Sequence, residues 1–322
     1  MCTAINVTEG RHLFGRTLDL ELSYGQQAVI ISESFPLGFL YQPENKGHFK
    51  IMGTAVVFEG KPLFFDGIND KGLCAAGLNF GKNAVYHNFK EGSLNLASFE
   101  VIPFLLSSFK TVDEAEECLR KANITGESVS EELPATPLHW MISDKNRSIT
   151  VESDIDGLSI YENPVGVMTN SPEFPYHLTR LADYMGLDSF PVENWLCPSA
   201  PIEPYARGLS AVGLPGDMSS SSRFIKTVFS KFHTAPAEQG REVSRFFHII
   251  GTVNQPDGFA RTEDGKKVRT VYTVCADPEN MTCYYTTYNC RRIINVSALD
   301  HPTAEDKLIA IPLPENEDIK KL

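Results

Sequence analysis

Apolar positions fall in short blocks separated by Gly, Pro, Asn and Asp, and the period of those blocks changes along the chain. Thr3 to Val7 reads as a strand, Glu9-Gly10 as a turn, and His12-Leu13-Phe14 as the start of a second strand. Gly53 to Phe58 and Leu63 to Phe65 are strands around a turn at Glu59-Gly60-Lys61-Pro62. Asn69-Asp70-Lys71-Gly72 predicts another turn, followed by a strand from Leu73 to Phe80. Asn95 to Phe109 is largely apolar and predicts a buried helix. A second helix begins after Thr111: Glu114 stands at capping-box spacing, and Ala115, Cys118, Leu119 and Ala122 share one face. His139 to Ser143 and Ser148 to Glu152 predict a hairpin.

The second half repeats the order. Helices are expected over Tyr176–Met185, Ser222–Phe232 and Glu238–Ile250. Cys197 to Ser221 is rich in Pro, Gly and Ser and predicts irregular chain. Lys267 to Cys275 alternates as a half-buried strand, Asp277 to Asn280 turns, and Met281 to Tyr288 returns. No fixed-period repeat and no linker divides the chain, so one domain over residues 2–322 is expected, with about 304–322 as a surface tail. Strand blocks alternating with helix blocks imply an α+β fold of antiparallel sheets covered by helices.

Composition narrows the function. With 42% hydrophobic and 22% charged residues the chain is ordinary globular protein. A net charge of −12 argues against nucleic acid and against anionic lipid as partners. No run reaches the roughly 20 apolar residues of a membrane span, and the N-terminus lacks a secretory pattern, so a cytoplasmic location is expected. The seven cysteines are scattered without a CxxC pair, so no metal site is expected and most thiols should be buried.

Cys2 carries the most chemistry. Removal of Met1 would leave a thiol and an α-amine on one residue, and an amine of pKa about 8 can serve as a local base. Read alone, Cys2 is more often an accidental cysteine. Its context is Gly15-Arg16-Thr17-Leu18-Asp19. If the Glu9-Gly10 turn folds the strands together, Arg16 can hold the thiolate and Asp19 can orient the amine; the alternative is a surface ion pair. Read alone, Asn170 before Ser-Pro suits a turn, Asn79 a strand end, Arg223 a helix cap and His139 a core.

Met1-Cys2-Thr3 with Leu13 to Asp19 resembles the choloylglycine hydrolase family of bile salt hydrolases and penicillin V acylases, which are N-terminal nucleophile hydrolases. The likeness continues at Asn69 to Leu73, Ala76 to Phe80, Pro137 to Trp140, Met168 to Pro172 and Gly213 to Asp217, and at Ser219-Ser220 and Ser222-Arg223-Phe224. It implies a four-layer αββα sandwich. It also implies Cys2 as nucleophile and base, flanked by Arg16 and Asp19, with Asn170 and the Asn79 N–H as oxyanion hole and Arg223 completing the network. No cofactor is implied, and a homotetramer is. Asn79 stands where penicillin V acylases often carry Tyr, so conjugated bile salts are the expected substrates. Leu18, Tyr24, Phe58, Phe65, Leu133 and Leu138 are candidates for the apolar wall. The rival readings are another N-acyl amidase of the family, a class II glutamine amidotransferase, which usually begins Met-Cys-Gly, a non-catalytic steroid-binding protein, and an interaction protein with an accidental Cys2.

Overall fold

The Glu9-Gly10 turn joins β1 (Cys2–Val7) to β2 (Leu13–Leu20), antiparallel, with Cys2 opposite Leu18 and Ala4 opposite Arg16. Side chains alternate across a strand, so Cys2, Ala4, Phe14, Arg16 and Leu18 share one face, and Thr3, Thr17 and Asp19 the other. The computed structural model describes residues 1–45, 47–303 and 306–321.

Four strands follow: β3 (Gln27–Ile31), β4 (Ile51–Phe58), β5 (Lys61–Asn69) and β6 (Cys74–Asn79). Next come β7 (Leu94–Ala97), α1 (Val101–Ser108), α2 (Val112–Leu119) and β8 (Ala122–Thr125). The middle of the chain forms β9 (Leu138–Ser143), β10 (Ser148–Asp154), β11 (Gly157–Glu162), β12 (Val167–Met168) and α3 (Phe174–Arg180). The last part forms α4 (Ser220–His233), α5 (Glu242–Gly251), β13 (Ala260–Arg261), β14 (Lys267–Asp277), β15 (Thr282–Thr287), β16 (Ile294–Ser297) and β17 (Leu308–Pro312).

One sheet runs β12-β1-β2-β14-β15-β16, with β13 on β14; the other runs β11-β10-β9-β6-β5-β4-β3-β17. Their inner faces meet through Phe14, Leu18, Met52, Leu78, Met141 and Tyr272. α1 and α2 cover the second sheet, packing Leu105, Leu106 and Val112 on Ile51, Trp140 and Ile142. The other helices cover the first sheet, packing Phe174, Phe224 and Phe246 on Ile5 and Leu13. The layers are therefore α, β, β, α. Gly15 permits one close approach in this stack: a Cβ there would lie 1.9 Å from Val274 O.

Several elements depart from the periodicity. The apolar run from Asn95 is split. Residues 94–97 pair parallel with 122–125, and the helix starts only after Glu100, whose carboxylate accepts from Ala97 N and Leu40 N at 3.1 and 2.7 Å. Ala122 consequently belongs to β8 and not to α2. α3 starts two residues earlier than Tyr176 and relaxes into a 3-10 turn over Leu181–Tyr184. α5 starts at Glu242 because Gly240 takes φ +83. The turn after β4 tightens to Glu59-Gly60, both at positive φ. Within the tail, Leu308–Pro312 adds to β3 at the sheet edge, while 304, 305 and 322 lie outside the described residues. Cys74, Cys275, Cys283 and Cys290 are buried with Cys2, and all seven cysteines are free thiols.

Candidate active site

The hairpin register puts Arg16 diagonally across from Cys2 on the face between the sheets. Arg16 Nη2 donates to Cys2 Sγ at 2.5 Å. The rest of the guanidinium is held by carbonyls: Nη1 donates to Gly77 O at 2.6 Å and Phe65 O at 3.3 Å, and Nε to Thr17 O at 3.1 Å. Phe65 offers its carbonyl because it is the extra residue of a bulge where the β4–β5 register shifts at Thr54 and Ala55. Burial opposes the charge on Arg16, but Cys2, Tyr272, Asp66 and Asp19 outweigh it and raise its pKa. Burial in turn pushes the Asp66 carboxyl up, against the pull of Arg16 and of hydrogen bonds from Tyr272 and Thr54 at 2.6 and 2.8 Å.

A second buried guanidinium approaches the same residue from the helix side. Arg223 Nη1 donates to Cys2 O and, at 2.7 Å, to Thr3 Oγ1; Nη2 donates to Asn170 Oδ1 at 2.6 Å and Nε to Met218 O at 3.1 Å. Burial lowers its pKa, yet arginine stays protonated in proteins. The serine-rich segment explains its placement. Ser219 caps α4 by accepting from Ser222 N, and Ser222 Oγ donates to Asp217 at 2.6 Å. Ser219 N also donates to Asp217 at 2.9 Å, and the hydrogen bonds from Ser219 and Ser222 hold Asp217 at a pKa of about 2 and fix the first turn, one residue before Arg223.

Asn170 joins the parts. Its Oδ1 accepts from Cys2 N at 2.8 Å, and its Nδ2 donates to Asn79 O at 2.7 Å. With Met1 in place, the group that accepts from the Cys2 amide N–H is Asn170. Asp19 is fully buried, and accepts from Thr17 and Thr270 hydroxyls at 3.0 and 2.6 Å. It meets the terminus through backbone: Asp19 N donates to Met1 O at 2.9 Å, and the Met1 ammonium to Asp19 O at 2.6 Å. A bulge in β14 between Thr270 and Tyr272 sits opposite Asp19 and Leu18.

Asn79 ends β6 with its side chain exposed, Oδ1 accepting from Gly81 N at 3.1 Å, so only its backbone meets Asn170. Leu18 and Phe65 lie in the core layer that holds Cys2. Tyr24 is half exposed, 6.2 Å from Phe65 between ring centroids. Phe58 and Leu133 are half-buried at the end of β4 and in the loop before β9, and Leu138 packs on the α1 side. A cleft of about 220 Å³ lined by His12, Lys71, Lys110 and Asp144 lies instead at the other end of β1. Among the described residues no group of three or more His, Cys, Asp or Glu could hold a metal.

Sequence reasoning gave no role to Asp66, His177 or Ser220, and read His139 as a core residue. Ser220 Oγ lies 2.8 Å from both Asn170 N and Asn170 O. His139 is indeed buried, but both its ring nitrogens are hydrogen-bonded. Only the serine cluster at 219–222 hinted at Ser220; nothing local marks the others.

Residues 2–308 match the family model of linear amide C–N hydrolases, choloylglycine hydrolase family. The chain is 39% identical over 314 residues to the bile salt hydrolase/transferase of Lactiplantibacillus plantarum, covering 97% of each. It is 36% identical over 299 residues to the bile salt hydrolase/transferase of Clostridium perfringens, covering 91% of each. Its fold superposes on that of a mutant conjugated bile acid hydrolase from Clostridium perfringens with a TM-score of 0.92 at 32% identity, over 100% of both chains. The chain belongs to the choloylglycine hydrolase family of linear amide C–N hydrolases.

Proposed function

We propose that this protein hydrolyses the amide bond of glycine- and taurine-conjugated bile salts, with Cys2 as nucleophile. The observation that carries the reading is the contact of Arg16 Nη2 with Cys2 Sγ, 2.5 Å, beside an Asn170 that bridges Cys2 N and Asn79 O. A guanidinium beside a thiol favours the thiolate. Loss of Met1 turns Cys2 N into an amine, still hydrogen-bonded to Asn170 Oδ1. That amine takes the thiol proton, and Sγ attacks the amide carbon. One proton of Asn170 Nδ2 is engaged at Asn79 O; the other, with the Asn79 N–H, meets the developing oxyanion. Collapse breaks the C–N bond, the amine returns the proton to the departing glycine or taurine, and water hydrolyses the thioester. Arg223 fixes Cys2 O and Asn170 Oδ1 together, and Asp19, held by two threonines, keeps β2 in place beside the terminus.

Leu18, Phe65 and half-exposed Tyr24 offer an apolar wall for the steroid, with Phe58, Leu133 and Leu138 further out. The reading includes a homotetramer. Its support is the irregular arm that exposes Trp195, Leu196 and Tyr205 at 80%, 95% and 88%, an apolar surface suited to a second subunit. It also includes a cytoplasmic location, which suits seven free thiols; no helix among the described residues is long and apolar enough to cross a membrane.

The test is amino-acid release from glycocholate and taurocholate, with penicillin V alongside and the intact mass recorded. Rapid release by protein lacking Met1 is expected. Faster cleavage of penicillin V would keep the nucleophile and overturn the substrate, and no turnover by the processed protein on any of the three would overturn the reading.

A further inference from the structure

Two buried histidines that take no part in the chemistry above hold the main chain on which Asn170 sits. His139 of β9 donates from Nε2 to Thr169 O at 2.9 Å, and His177 of α3 donates from Nε2 to Asn170 O at 2.8 Å. Carbonyl and carboxylate oxygens only accept, so each ring carries a proton on Nε2, and His139 carries a second on Nδ1, which faces Glu152. Successive carbonyls are thus gripped from opposite layers, one from the second sheet and one from a helix covering the first.

The two grips are themselves linked. His139 Nδ1 lies 3.0 Å from Glu152 Oε1, and the Glu152 carboxylate also accepts from Phe174 N, at 3.1 and 3.2 Å. Phe174 begins α3, the helix that carries His177. Stacking fixes both ring planes: His139 lies on Phe80 with centroids 4.4 Å apart, and His177 on Phe224 at 5.0 Å. Phe80 directly follows Asn79, so one imidazole touches the segments bearing both oxyanion donors.

We propose that His139 and His177, tied through Glu152, are positioning residues that set the Asn170 carboxamide relative to Cys2 and the Asn79 N–H. This rests on the reading of Asn170 as an oxyanion donor. Such a donor acts only when aimed, and a misplacement of about 1 Å can cost on the order of 100-fold in rate. Main chain held at two consecutive carbonyls cannot rotate its peptide plane without breaking a buried hydrogen bond.

The test uses the processed enzyme with glycocholate. His177→Phe and His139→Phe keep the stacked ring and remove the donor; His139→Gln keeps a donor near Nε2. Turnover is read alongside alkylation of Cys2 by iodoacetamide, which needs the thiol but forms no oxyanion. Each Phe variant is expected to lower kcat by about 10- to 100-fold with KM within about 3-fold and alkylation little changed, and His139→Gln is expected to recover most of the loss. Asn170→Ala supplies the benchmark, with an expected kcat loss of about 100- to 1,000-fold.

A folded His177→Phe enzyme with wild-type kcat, beside a collapsed Asn170→Ala, would overturn the positioning role alone. So would alkylation falling in step with kcat, or His139→Gln no better than His139→Phe. Wild-type kcat in Asn170→Ala would overturn the oxyanion reading first. If His139→Phe does not fold, His177→Phe still decides, since its ring makes a single hydrogen bond.

Discussion

His177 makes stability at acid pH a quantitative test of this packing. Burial is the main cause that holds its pKa at about 4, against an ordinary 6.5, with His139 and Arg223 lowering it further and the Asn170 and Pro172 carbonyls opposing. The unfolded chain therefore binds the proton first as pH falls. Well above pH 6.5 the group is neutral in both states and has no effect; stability is lost progressively from about 6.5 to about 4. With about 1.4 kcal/mol per pKa unit, the loss at pH 5 is about 2 kcal/mol, against about 0.2 kcal/mol at pH 7. His177→Phe abolishes this titration while keeping the ring on Phe224. Removing its hydrogen bond costs about 1 kcal/mol at every pH.

Urea unfolding of both proteins, followed through buried Trp140, should therefore show the variant less stable at pH 7 and the gap closed or reversed at pH 5. His12, whose pKa burial also lowers to about 4, titrates in both proteins and cancels from the comparison. A difference between the two proteins that stays constant within about 0.5 kcal/mol from pH 7 to pH 5 would refute a neutral, buried His177.

Three further outcomes are expected. Cys2→Ser should lower glycine release from glycocholate by more than about 1,000-fold with an unchanged urea midpoint, and wild-type-like turnover would remove Cys2 as nucleophile. Gly15→Ala should destabilise by at least about 2 kcal/mol in urea, because its methyl would lie 1.9 Å from Val274 O and backbone must move; an unchanged midpoint would contradict that approach. Thr270→Val removes a 2.6 Å hydrogen bond to the buried Asp19 carboxylate and should cost about 1–3 kcal/mol, measured the same way.

What could be read from sequence was local. The alternation of Thr3–Val7 and of Leu13 onward around Glu9-Gly10 was enough to build the β1–β2 hairpin, and a hairpin necessarily brings Arg16 beside Cys2, 14 residues away. The cap at Thr111 and the order of the motifs were equally visible, because a cap or a motif is defined by neighbours in the chain. Local pattern failed where a partner distant in sequence competed for the backbone: residues 94–97 are as apolar as the helix after them, yet β8 takes them into a strand. Nor could local pattern supply the acceptor of the Cys2 amide N–H, Asn170, which lies 168 residues away.

Tertiary structure alone decided the rest. The bulge that frees the Phe65 carbonyl for Arg16 is a register shift between two strands, which no single strand's sequence encodes. The meeting of Asn170 with Asn79 across 91 residues, and of His139 with Thr169, depends on which sheet and helix surround a residue. Hydrophobic periodicity specifies which face of an element is buried; it says nothing of which polar group waits on the other side. In a buried site every donor must find an acceptor, and that choice is made only when the layers close.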